Sequence, residues 1–78
     1  MHMRGVTSGH IADIGYDEEA KQLGVHFKDG NTYLYEDVPA SVYTELLKAD
    51  STEGVSVGKV FAKRVRSVFT GVKQQRRL

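Results

Sequence analysis

The sequence has no cysteine, no tryptophan and a single proline. Without cysteine no disulfide staples the core and no thiolate holds a metal, which fits a reducing compartment and an expected cytoplasmic location. No apolar run approaches the about 18 residues of a membrane helix. The opening Met1-His2-Met3-Arg4 has no apolar stretch, so no signal peptide is expected. The most informative lack is of negative charge. From Lys59 to Leu78 there is no carboxylate, while seven basic residues fall there. Residues 1–58 hold all ten carboxylates against four basic residues. The formal net charge of +1 therefore hides two halves of opposite sign, and the local field is what a partner meets.

Seventy-eight residues make one small domain. A chain of this size buries only about 60% of its unfolded surface, so its core is small. Residues 1–7 are read as a disordered start or a cloning remnant, residues 8–72 as the domain, and 73–78 as a frayed basic tail.

What is present organises the middle of the chain. Residues 11–16 alternate loosely and read as a strand. Leu23, Val25 and Phe27 recur at period two, the mark of a strand with one buried face. Lys28-Asp29-Gly30 turns the chain into "NTYLYE", a hairpin. A two-residue turn would set Tyr33 and Tyr35 on the face away from Leu23, Val25 and Phe27. A turn with Gly30 in a bulge sets Val25 opposite Tyr33 and Leu23 opposite Tyr35, because a slip of one residue flips every side chain. The bulged turn is favoured, since it gathers five large side chains on one face. Leu34 is then left on the other.

Pro39 suits the start of a helix, and Val42, Tyr43, Leu46 and Leu47 continue it as an apolar stripe. "DSTEGVS" breaks that helix, and Ser56 reads as the N-cap of the next. Val57, Val60, Phe61, Val65, Val68, Phe69 and Val72 then follow at steps of three and four, predicting one helix to about Val72, weakened by Gly71. The expected fold is α+β: a three-stranded antiparallel meander covered on one face by two helices, in the order β-β-β-α-α.

"YDEEAKQLGVHFKDGNTYLYEDVPASVYTELLKA", with its Tyr33-x-Tyr35 and Val38-Pro39, resembles the KTSC domain, named from the C-terminus of certain lysyl-tRNA synthetases and also found as stand-alone bacterial and phage proteins. Ser56-x-Gly58-x-x-Phe61 and Val65-Arg66 look like that family's closing motif, so the resemblance spans residues 8–69. This chain departs in the longer "DSTEGV" segment before Ser56 and in Ala62, where the family often has asparagine. The family it resembles has no established general activity; RNA binding is a suggestion attached to it.

The residues offer several chemistries. Lys59, Lys63 and Arg66 form a row about one helical turn apart, with Arg64 at its margin and Lys73, Arg76 and Arg77 in the tail. Such a row suits backbone phosphates, or only keeps a small protein soluble. Tyr33 and Tyr35 would stack on single-stranded bases if exposed, but fill the core in the favoured register. Ser56, Gly58 and Lys59 at a helix start suit either a small anion or simple capping. They are not a P-loop, because the spacing from Gly54 is one residue short and Val60 replaces the magnesium-holding hydroxyl. The histidines lack ligand spacing, His26 is expected on the exposed side of its strand, and no metal or cofactor is expected. Acidic pairs such as Glu36-Asp37 lie in turns without an apolar pocket, so no enzyme is expected. The first expectation is a nucleic-acid-binding module, for RNA or another single strand. The alternative is a homo-oligomeric interaction or sequestering protein for a nucleotide, another small anion or an acidic protein.

Overall fold

The alternating segments pair as strands in a computed structural model, which describes residues 2–74. They belong to an antiparallel sheet of five strands, β1 (Met3–Gly5), β2 (Ile11–Asp17), β3 (Gln22–Phe27), β4 (Thr32–Tyr35) and β5 (Gly71–Gln74), joined in sequence order. Helix α1 (Ala40–Asp50) and helix α2 (Val57–Phe61) lie between β4 and β5 in the chain, and α2 runs on as a π-helical turn, Ala62–Arg66. The α+β class and the two helices are as the pattern predicts. The strand count is not: a strand is added at each edge of the expected three.

The hairpin between β3 and β4 adopts the bulged turn. Phe27 N–H donates to the Asn31 carbonyl at 2.8 Å, Gly30 N–H donates to the Phe27 carbonyl at 3.0 Å, and Gly30 takes a left-handed φ of 98°. Val25 accordingly lies opposite Tyr33, and Leu23 opposite Tyr35. With Ile14, these residues make the face on which the helices pack through Val42, Leu46, Val57, Phe61 and Val65. Side chains alternate along each strand, so Gly15, Gly24 and Leu34 lie on the far face, where Gly24 sits opposite both Gly15 and Leu34.

The beginning of the domain is not a disordered start. Met3–Gly5 pairs with β2, and Val6 N–H donates to the Ala12 carbonyl at 3.1 Å. Thr7 N–H then donates to the Asp50 carboxylate at 2.6 Å. The last residue of α1 thus supplies the carboxylate that ties down the exit of β1.

The last helix is also shorter than its spacing predicts. The Val65 carbonyl accepts from both Val68 and Phe69 N–H, at 3.1 and 2.7 Å, and the Ser67 hydroxyl bonds back to the Lys63 carbonyl at 2.8 Å. Those bonds close the helix, and Gly71–Gln74 pairs with β4 instead. Val68 and Val72 leave the predicted apolar stripe and stand 67% and 55% exposed. Lys73 belongs to β5 rather than to a frayed tail; Arg76 and Arg77 lie outside the described residues.

Candidate nucleic-acid interface

Four aromatic rings mark the end of the sheet that α2 only partly covers. Phe27 meets Tyr33 edge-on with ring centres 5.7 Å apart and Phe61 at 5.8 Å. Tyr35 meets Phe61 at 5.5 Å and stacks beside Tyr33 at 6.5 Å. Tyr35 is buried, so it cannot stack on a base as an exposed tyrosine would. Tyr33 and Phe27 are half-buried and keep part of their rings at the surface. Burial raises the Tyr35 phenol above its ordinary value, an effect Arg66 partly offsets with its positive charge and Tyr33 reinforces.

The cations of the second helical segment do not form the single row that α-helical spacing predicts. Ser67 N–H reaches back five residues to the Ala62 carbonyl at 3.3 Å, so each residue of the π turn advances less around the axis than in an α-helix. Arg66 lines a hollow with His10 and Lys28 and lies within electrostatic reach of Tyr35. Lys63 and Arg64 line the opposite side, facing α1. Arg64 Nε pairs with Glu45 Oε2 at 2.7 Å, which neutralises it as a free cation. Lys59, Lys63, Arg66 and Lys73 are exposed and make no ion pair among the described residues. Lys73 lies opposite Tyr33 on β5 and so shares its face of the sheet.

The proposed anion group is used locally. Ser56 Oγ accepts from Lys59 N–H at 3.3 Å and caps α2. Gly58 lies against the loop before β2, with the Ser8 hydroxyl 3.5 Å from where its β-carbon would be. His26 is not exposed as its strand position suggests. It is half-buried, its Nδ1 lies 2.8 Å from Asp13 Oδ1, and its Nε2 is shielded from solvent. Among the described residues no group of three or more His, Asp or Glu side chains gathers as metal ligands would, and no helix is long and apolar enough to cross a membrane.

The family model of the KTSC domain matches residues 7–69. This chain belongs to the KTSC domain family. The crystal structure of a KTSC domain protein from Yersinia pestis superposes with a TM-score of 0.81 at 30% identity, over 94% of this chain and 96% of that one. A protein of Tsukamurella paurometabola is 41% identical over 66 residues, 85% of this chain and 97% of its own. A protein of Stutzerimonas stutzeri, named only as uncharacterized, is 46% identical over 46 residues, 59% of this chain and 65% of its own. For the KTSC domain described here, sequence reasoning located Arg66, Lys73 and Tyr33 but missed His10, Phe27 and Lys28 as their neighbours. His10 sits in the loop before β2, Phe27 ends β3 and Lys28 opens the β3–β4 turn, so only strand pairing brings them to one end.

Proposed function

We propose that this KTSC domain protein is a non-catalytic module that binds single-stranded nucleic acid. The strand runs over Arg66 and on to Lys73 at the aromatic end of the sheet, with the half-buried rings of Tyr33 and Phe27 beside it. The observation that carries this reading is the turn of Arg66 onto the aromatic end of the sheet, on the face that Lys73 shares. Cations beside aromatic rings suit a single strand, whose phosphates and unstacked bases both need partners. A duplex would satisfy only the cations.

The test is fluorescence anisotropy of a labelled single-stranded RNA. Replacing Arg66 and Lys73 together by alanine weakens binding about tenfold, since two phosphate contacts are lost. The thermal midpoint stays unchanged, because both side chains are exposed. Wild-type affinity in that double variant contradicts the reading.

A second reading, self-association, draws on Val55 and Val68. They are 44% and 67% exposed and line two adjoining hollows that share Lys63 and Arg64. Light scattering separates the two: a defined oligomer favours it, and a monomer that binds RNA favours the first.

A further inference from the structure

The end of the sheet also carries a hollow of about 460 Å³, lined by His10, Phe27, Lys28, Asp29 and Arg66. Besides Phe27 at the end of β3, three separate elements build it. The loop between β1 and β2 brings His10, the β3–β4 turn brings Lys28 and Asp29, and the π turn brings Arg66. The two loops are fastened to each other, because Lys28 N–H donates to the His10 carbonyl at 2.8 Å. His10 is held from its own side as well: the Ser8 hydroxyl accepts from both His10 and Ile11 N–H, at 3.3 Å each. Phe27 is fixed by its edge contacts with Tyr33 and Phe61. The backbone and the ring that frame the hollow are therefore held in place, and its volume lies in the range of about 300–1,000 Å³ usual for small-molecule sites.

Its charge is selective. Asp29 is the one carboxylate in the lining, and its two oxygens already accept from Asn31, from the backbone N–H at 3.0 Å and from Nδ2 at 3.1 Å. Lys28 and Arg66 carry no ion pair among the described residues. An arginine fork, an ammonium and an imidazole around one aromatic ring suit a ligand with a phosphate at one end and a planar ring at the other. The hollow between the helices offers no such match, since its arginine is paired with Glu45 and no aromatic ring of the described residues lines it.

We propose that this hollow is a nucleotide pocket, in which Arg66, Lys28 and His10 hold the phosphate and Phe27 lies against the base. The proposal deepens the strand-binding reading and rests on it for the source of the nucleotide, a unit within a strand. Isothermal titration of the full chain with adenosine 5′-monophosphate, paired with the RNA anisotropy assay, tests it. Lys28→Ala and His10→Ala are each compared with wild type, and Lys48→Ala controls for the loss of one charge far from the hollow. The expected result is that Lys28→Ala weakens binding of the nucleotide, of the strand or of both about tenfold, while Lys48→Ala does not. Adenosine, lacking the phosphate, then binds at least tenfold less well than the monophosphate. Loss for the strand alone, or greater loss for the strand, identifies a strand unit as the natural ligand. Loss for the monophosphate with no RNA binding by wild type retains the pocket for a free nucleotide and removes the strand reading. RNA binding that Arg66→Ala/Lys73→Ala weakens but Lys28→Ala and His10→Ala leave untouched, with no heat from the monophosphate, overturns the pocket and leaves the strand reading standing. Monophosphate binding indifferent to Lys28→Ala also overturns it.

Discussion

At the scale of the residue, Gly71 shows how one missing side chain fixes an edge of the sheet. It lies opposite Tyr35, and a β-carbon there would come within 2.5 Å of the Tyr35 ring. In the sequence the same glycine reads as the weak end of a helix, because nothing local records that a ring will lie across it. Gly71→Ala must displace a buried tyrosine or lift β5. A loss of about 1–3 kcal/mol in chemical denaturation is expected, the usual cost of overfilling a packed site. A change within a few tenths of a kcal/mol would mean that Tyr35 moves freely. His26 makes a similar point. Strand alternation turns it away from the helices, as read, but its pairing with Asp13 across β2 keeps it from being exposed.

At the scale of the element, the π turn decides what the basic helix can touch. Its first turn is α-helical and capped by Ser56, as its sequence predicts. The widened turn that follows carries Arg66 to within electrostatic reach of Tyr35. This gives a pH prediction. The fold holds the neutral Tyr35 phenol better than the unfolded chain does. Up to about pH 10 both states keep the proton and the contribution is complete. Above that the unfolded chain releases its proton first, so stability falls until the raised folded value is passed. Phenolate absorbance should show Tyr35 ionising above its ordinary value, and Arg66→Ala should move it higher still. A Tyr35 titration unaffected by Arg66→Ala would mean that Arg66 points elsewhere. Two elements escaped sequence reading for different reasons. β1 is three residues long, too short for alternation to show. β5 was masked because Val68, Phe69 and Val72 continue the steps of three and four begun at Val57, although the chain has already turned.

At the scale of the whole molecule, the central hairpin, its register and both helix starts were legible, because period, turn chemistry and capping agreed there. The segregation of charge was legible too. Its arrangement was not, since a row drawn on an ideal helix put Arg66 beside Lys63, whereas the fold gives each a different neighbour. The aromatic end of the sheet depends on pairing between strands distant in sequence, so no single stretch announces it. On the proposed reading this end, with Arg66 and Lys73, receives the phosphates and bases of a single strand. The most direct test is the affinity for a labelled single-stranded RNA at a series of salt concentrations. Three to five phosphate contacts predict a log–log slope of about −2 to −3.5. A flat dependence, or no binding at the lowest salt, would contradict it.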